Sequence, residues 1–117
     1  MKVILDTNFL IDSFRFKIDL RKELAGSDVF MLKSQLFELR QIEERGSKDS
    51  KLAKMALLFA KNVRMLEPKQ AKVDDSLVSY SKEGYAIATH DRKLKEKLKG
   101  AKIVYIRQKR YLENTDL

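Results

Sequence analysis

The chain has 117 residues, which suits one domain with a single core and is too few for two. Apolar residues make up 44% and charged residues 36%, a balance that excludes a disordered chain. Without cysteine, neither a disulfide framework nor a thiolate zinc site can form, and the formal charge of +8 favours a polyanionic partner. The alternative is that the lysines only keep the protein soluble.

The amino terminus is apolar like a signal peptide, but Asp6 and Asp12 interrupt it and no small-residue cleavage site follows. The longest uninterrupted apolar run, residues 55–60, is far shorter than a membrane span requires. We therefore expect no membrane segment and a cytoplasmic location.

Short apolar runs alternate with helical segments along the chain. The runs predict strands over residues 2–5, 28–32, 63–67, 85–89 and 102–106. Helices are predicted over approximately residues 9–14, 17–25, 34–45, 48–62, 74–83 and 92–99. A glycine follows most of these helices, at Gly26, Gly46, Gly84 and Gly100, where a left-handed backbone would end the helix.

The runs VIL, YAIAT and IVYI are apolar at consecutive positions, as in parallel strands that are covered on both faces. With helices between the strands, they predict a three-layer α/β fold. We expect residues 1–117 to form a single domain that ends in a basic tail, residues 107–117. Ligands of an open parallel sheet bind outside the carboxyl ends of its strands, so polar residues there are the functional candidates.

Acidic residues occupy such positions. Asp6 ends the first predicted strand, Asp91 follows the fourth, and Asp74 opens the helix before that strand. Glu38 lies on a helix between inward-facing apolar positions, where an unpaired acid is unfavourable. The alternative for Asp91, and for Asp74 or Asp75, is a helix N-cap, whereas Asp6 has no capping role so obvious.

As a set, these acids favour chemistry over capping. Clustered carboxylates repel one another until a cation neutralises them. Oxygen ligands, with a single histidine and no cysteine in the chain, suit Mg²⁺ or Mn²⁺. Such a cation lowers the pKa of a bound water and stabilises charge on a phosphate, and the basic surface would attract a phosphate backbone.

At these residues the sequence resembles the PIN-domain nuclease family. The matching segments are Asp6-Thr7-Asn8, Phe37-Glu38-Leu39, Val73-Asp74-Asp75-Ser76-Leu77 and Ala88-Thr89-His90-Asp91-Arg92. The half from Asp74 onward is most similar to the PIN nucleases of the small-subunit processome, which act in ribosomal RNA processing. It resembles the VapC toxins of toxin–antitoxin pairs less closely. The resemblance implies an α/β/α sandwich with about five parallel strands and an endoribonuclease that depends on Mg²⁺ or Mn²⁺.

Site residues follow from the same resemblance. Asp6 and Asp91 would be the principal metal ligands, with Glu38 and Asp74 completing the acidic pocket. Three further residues would orient carboxylates or water, or cap a helix: Asn8, Thr89 and Asp75. A non-catalytic RNA-binding scaffold with the same fold is the alternative to an enzyme.

The remaining features concern partners. Two basic segments are candidates for RNA contact, the first with Arg92, Lys93 and Lys95, the second with Arg107, Lys109, Arg110 and Tyr111. Ordinary solvated surface is the alternative for both. His90, the only histidine, is expected to be an exposed bystander. An apolar helix face including Met55 and Leu58 suggests a homodimer, and an antitoxin or pre-ribosomal protein would be the partner in the two cellular roles.

Overall fold

The computed structural model describes residues 1–116, which form six strands and six helices around one sheet. In chain order the elements are β1 (Lys2–Leu5), α1 (Thr7–Arg15), α2 (Leu20–Glu23), β2 (Asp28–Leu32), α3 (Lys33–Glu44), α4 (Ser50–Ala60), β3 (Arg64–Leu66), α5 (Val73–Ser81), β4 (Ala86–Ala88), α6 (Arg92–Lys97), β5 (Lys102–Arg107) and β6 (Tyr111–Asp116). The predicted strands and helices are all present with shifted ends. The largest differences are the short α2 and the earlier start of α1.

The sheet has the order β3-β2-β1-β4-β5-β6, and β1 to β5 are parallel. This confirms the predicted α/β fold. The chain runs outward from β1 through β2 to β3 and then returns to β4 on the other side of β1. The connections therefore diverge between β1 and β4, which is where a parallel sheet opens a crevice at its carboxyl edge.

The sixth strand, β6, lies in the segment that was predicted to be a basic tail. It pairs antiparallel with β5, with Arg107 opposite Tyr111. Between them Gln108 and Lys109 have φ of 54°, and the amide of Arg110 donates to the carbonyl of Arg107 at 3.1 Å. The sheet thus has six strands where about five were expected, and the tail is a hairpin strand. Leu117, the last residue of the predicted tail, lies outside the described residues.

Successive side chains of each strand point to opposite faces of the sheet and pack into two cores, one on each face. Val3 and Leu5 pack on one face with buried residues of α1, α3 and α4, while Ile4 packs on the other with Leu77 of α5 and Leu94 of α6. The three-layer arrangement is therefore confirmed. Within residues 1–116 no helix is long and apolar enough to cross a membrane.

Local signals that end the helices also appear as expected. The backbone of Gly46, two residues after the last residue of α3, has φ of 65°, which a side chain would disfavour.

The α4 helix packs through the buried small residues Ala53, Ala56 and Ala60, which let it lie close to its neighbours. Because α4 packs against both α1 and α3, the α3 helix lies beside α1, and Glu38 on α3 is brought to the crevice.

Candidate functional site

Asp6 lies at the junction of β1 and α1, in the crevice between β1 and β4. Its amide donates to the carbonyl of Ala88 at 2.9 Å, which ties it to the end of β4. Its side chain is only 9% exposed, and Oδ1 accepts a hydrogen bond from the amide of Thr7 at 2.9 Å. Asp6 is therefore the N-cap of α1. No such capping role was expected, because the helix was predicted to begin at residue 9, two residues after its observed start.

Thr89 connects Asp6 to Asp91. This threonine is fully buried, and its hydroxyl donates to Oδ2 of Asp6 at 2.9 Å. The hydroxyl oxygen of Thr89 in turn accepts a hydrogen bond from the amide of Asp91 at 3.0 Å. Oδ1 of Asp91 accepts from the amides of Lys93 and Leu94, so Asp91 caps α6, as its structural alternative predicted. Both acids thus combine a capping role with a position at the crevice.

Glu38 approaches the crevice from α3. It is half-buried, and its Oε1 accepts a hydrogen bond from the hydroxyl of Thr7 at 3.0 Å. Thr7 is 4% exposed and follows Asp6 directly, so one short segment contacts both Glu38 and the end of β4. This hydrogen bond stabilises an acid that would otherwise face apolar surroundings.

Asp74 has a different setting from the other acids. The N-cap of α5 is Lys72, so Asp74 lies inside the first turn and the capping alternative is wrong for it. Within residues 1–116 the carboxylates of Asp74 and Asp75 accept no hydrogen bond, and Asp75 is exposed. Asp74 is therefore left free to interact with a ligand.

Electrostatic coupling shows that the four acids share one environment. Burial raises the pKa of Asp6 from 3.8 to about 6, and the negative charges of Asp74 and Glu38 add to the rise. Burial and the charge of Asp74 raise the pKa of Glu38. Burial and the charge of Asp91 raise the pKa of Asp74. The charges of Glu38, Asp74 and Asp91 thus each disfavour the ionisation of another of these acids, as expected for a site that a cation would stabilise.

The donor set fits a hard divalent cation. Its oxygens are carboxylate oxygens, which Mg²⁺ and Mn²⁺ prefer, and their mutual repulsion would be relieved by a positive ion. Among residues 1–116 no three acidic or histidine side chains are close enough to coordinate one ion together. Three or more of these carboxylates would therefore have to rotate toward an ion to bind it directly.

Two polar residues at this site escaped the sequence analysis. Thr7 contacts Glu38, and Gln35, fully buried in α3, donates to Thr7. Asn8, which was expected to support the acids, is exposed and makes no side-chain hydrogen bond within residues 1–116. The only signal for Gln35 in the sequence is its position one helical turn before Glu38, which places both near one side of α3.

His90 lies beside the crevice without contacting the acids. Its side chain is exposed, as expected, and its ring stacks on Phe9 with 5.3 Å between the ring centroids. Partial burial against the protein lowers the pKa of His90, which leaves the imidazole neutral near pH 7.

The first basic segment begins at the crevice. Arg92 and Lys93 are exposed in the first turn of α6, directly after Asp91, whereas Lys95 is half-buried. The charge of Lys97, on the same helix, offsets part of the rise in the pKa of Asp74. The α6 helix thus presents cations next to the acids.

The second basic segment is the β5–β6 turn. Val104 pairs with Ala88 at the end of β4, so Arg107 lies three residues, or about 10 Å, beyond that end on the carboxyl side of the sheet. Arg107 pairs with Glu113 at 3.0 Å, and the ammonium of Lys109 lies 5.4 Å from the ring centroid of Phe16. The turn therefore projects from the same edge as the acids.

Comparisons with known proteins agree with this geometry. A family model described as a PIN like domain matches residues 3–109. Ribonuclease VapC4 of Methanocaldococcus jannaschii is 30% identical over 124 residues, covering 96% of this chain and 95% of that protein. The structure of the PIN domain endonuclease Utp24 matches with a TM-score of 0.81 at 25% identity, covering 99% of this chain and 92% of that one. VapBC2 of Rickettsia felis, bound to a promoter DNA fragment, matches with a TM-score of 0.61 at 15% identity, over 82% and 92% of the two chains, and shares the fold.

Proposed function

The chain belongs to the PIN-like domain family, and from this premise we propose that it is a divalent-metal-dependent endoribonuclease. The observation that carries the proposal is the electrostatic repulsion that links Asp6, Glu38, Asp74 and Asp91 at the β1–β4 crevice, with the pKa of Asp6 raised to about 6. A relative named as a ribonuclease and a structural match named as an endonuclease support the same activity.

The proposed metal ligands are Asp6 and Asp91, with Glu38 and Asp74 completing the pocket. The bound Mg²⁺ or Mn²⁺ would supply a Lewis acid that activates water and neutralises charge on the phosphate. The hydroxyl of Thr89 holds one oxygen of Asp6, and that of Thr7 holds one oxygen of Glu38, so the carboxylates keep defined orientations.

The proposed RNA contacts come from the two basic segments. Arg92, Lys93 and Lys95 would bind phosphates next to the acids, because α6 starts at the crevice. The hairpin turn would bind the strand further along, through Arg107, Lys109, Arg110 and Tyr111. Tyr111 is half-buried in β6, so only one part of its ring is open to a base.

Cleavage of a structured RNA in the presence of Mg²⁺ or Mn²⁺ tests the proposed function. Asp6→Asn and Asp91→Asn should each lower the cleavage rate at least about 100-fold, because a metal ligand contributes several kcal/mol to the transition state. Asp28→Asn is the matched control, since Asp28 is exposed at the opposite edge of the sheet. Products should end in 5′-phosphate and 3′-hydroxyl groups. Cyclic phosphate ends, or full activity of the double mutant, would contradict the proposal.

A non-catalytic RNA-binding scaffold is the competing function. It predicts RNA binding without turnover at any divalent metal, whereas the retention of all four acids favours catalysis. For the cellular role of the enzyme, the sequence resemblance favours ribosomal RNA processing. Co-purification with pre-ribosomal RNA or a pre-ribosomal protein would support this role. Co-purification with a small antitoxin protein would instead identify a VapC-like toxin.

A further inference from the structure

The amide of Gln35 connects the segments that carry two of the acids. Gln35 is fully buried in the first turn of α3. Its Nε2 donates to the carbonyl of Leu5 at 2.7 Å and to the hydroxyl of Thr7 at 3.2 Å, and its Oε1 accepts from the amide of Leu32 at 2.7 Å. A reversed amide would place its oxygen against the carbonyl of Leu5 and its NH₂ group against the N–H of Leu32. The orientation of this amide is therefore determined by its neighbours.

The orientation of Gln35 also determines that of the Thr7 hydroxyl. A threonine hydroxyl has one proton to donate. Because the Thr7 oxygen accepts from Gln35, its proton is directed to Oε1 of Glu38, at 3.0 Å. Leu5 and Thr7 are the two neighbours of Asp6 in the chain, so the same amide holds the backbone on both sides of that acid. One buried side chain thus links the position of Asp6 to that of Glu38.

This linkage opposes the repulsion between the two acids. The charge of Glu38 raises the pKa of Asp6, and Glu38 is only half-buried, so rotation toward solvent would relieve the repulsion. The hydrogen bond from Thr7 holds Glu38 in place against that tendency. Without the hydrogen bond, Glu38 would need to be reordered each time that a cation binds.

We propose that Gln35 and Thr7 are positioning residues that hold Glu38 at a defined place beside Asp6 and so raise the affinity of the site for a divalent cation. The inference rests on the proposed metal-dependent function. Neither residue touches the substrate or the reacting atoms; Thr7 acts through Glu38, and Gln35 acts through Thr7.

Calorimetric titration of the full chain with Mn²⁺, without RNA, tests the inference. Thr7→Val keeps the branched shape but removes the hydroxyl, and should weaken Mn²⁺ binding about 10–100-fold, as the loss of groups that orient metal ligands does. Thr7→Ser keeps the hydroxyl and should bind Mn²⁺ within about threefold of the wild type. Thr115→Val, at an exposed position of β6, is the matched control and should change nothing.

A double-mutant cycle separates positioning from general loosening of the fold. In a Glu38→Gln background, Thr7→Val should weaken Mn²⁺ binding by less than about threefold, because its effect is transmitted through the carboxylate. A full 10–100-fold effect in that background would overturn the proposed route through Glu38.

Gln35 itself is tested by Gln35→Met, with Gln41→Met at an exposed position of the same helix as the control. Gln35→Met should weaken Mn²⁺ binding about as much as Thr7→Val does. If Gln35→Met does not fold, the Thr7 variants decide the question alone.

The outcomes distinguish this inference from the function on which it rests. If the wild type does not bind Mn²⁺, both the inference and the proposed function fail. If the wild type binds Mn²⁺ and Asp6→Asn removes the binding, but Thr7→Val binds as tightly as the wild type, only the positioning role is overturned.

Discussion

Individual acids at the crevice cap helices, and this role is compatible with the proposed metal binding. Asp6 uses Oδ1 to cap α1 and Oδ2 to accept from Thr89, and Asp91 uses Oδ1 to cap α6. These hydrogen bonds stabilise negative charge where burial and repulsion raise the pKa of Asp6. Capping therefore lowers the free energy needed to keep carboxylates together before a cation binds.

The raised pKa of Asp6 predicts how metal-free stability depends on pH. The pKa of Asp6 is about 6 in the folded state, against 3.8 for an unperturbed aspartate in the unfolded state. The contribution of Asp6 to the free energy of unfolding is therefore fully present below about pH 4 and is lost as pH rises through 6. The loss is at most on the order of 3 kcal/mol. Asp6→Asn keeps a cap but cannot ionise, so in EDTA at pH 7.5 it should be at least as stable as the wild type.

Urea denaturation between pH 4 and 8 measures this difference. The advantage of Asp6→Asn should shrink to less than about 1 kcal/mol near pH 4, where the wild-type carboxyl is protonated in the folded state and partly protonated in the unfolded state. Added Mn²⁺ serves as the control, because it should stabilise the wild type at pH 7.5 and leave the variant unchanged. A difference between the two proteins that does not vary with pH would contradict the prediction.

At the scale of elements, the short α6 helix depends on its cap. The helix has six residues, and two of its amides are bound by Asp91. Loss of such a cap costs about 0.5–2 kcal/mol, and a helix this short has few other hydrogen bonds to retain its first turn. The capping role of Asp91 and its proposed metal-binding role can therefore be separated by substitution.

Asp91→Ser should keep the cap and lose the carboxylate, whereas Asp91→Ala should lose both. We expect the free energy of unfolding of Asp91→Ser to lie within about 0.5 kcal/mol of the wild-type value, and that of Asp91→Ala to be about 1 kcal/mol lower. Both should lose RNA cleavage. Thermal melts and the cleavage assay measure the two effects. Cleavage by Asp91→Ser at the wild-type rate would show that Asp91 is only a cap.

The β5–β6 hairpin is the element whose role was least apparent in advance. Its last strand is mostly polar, and its edge is partly covered because Glu23 of α2 accepts a hydrogen bond from the amide of Leu112 at 2.7 Å. Glu113 accepts from Tyr105 and Arg107 across the hairpin. These contacts hold the basic turn at the carboxyl edge, while the bound N–H of Leu112 is withdrawn from pairing with another chain.

Taken as a whole, the chain carries a formal charge of +8 and nevertheless has an acidic crevice. Cations on α6 and on the hairpin turn lie at the same edge as the acids, so phosphate binding and metal binding would act at one place. This arrangement would allow a basic protein to hold a cluster of carboxylates and still attract a polyanion.

RNA binding should therefore depend steeply on salt. If all six predicted cations contact phosphates, the slope of log K against log salt should be near −4, about −0.7 for each contact with a single strand. The protein for this measurement is Asp6→Asn, which avoids cleavage. Arg92→Ala should reduce the slope, whereas Lys102→Ala, exposed at the opposite edge, should leave it unchanged. A slope that Arg92→Ala does not alter would remove α6 from the interface.

The order of the six helices and the first five strands, and the placement of acids at strand ends, could be predicted from the sequence alone. These features depend on local causes, namely apolar runs, helix termini and glycines that permit a left-handed backbone. The position of Asp6 after VIL and that of Asp91 after AIATH could be recognised in the same way. Family resemblance then added Glu38 and Asp74 to the set.

The contacts that those acids make depend on the tertiary structure. Thr89 and Asp6 are 83 residues apart in the chain, and they meet because β1 pairs with β4. Gln35 reaches Thr7, 28 residues away, because α3 packs beside the start of α1. The β6 strand likewise depends on hydrogen bonds with β5, since its own residues carry little apolar pattern. Such contacts follow from strand order and helix packing, which no local pattern in the sequence specifies.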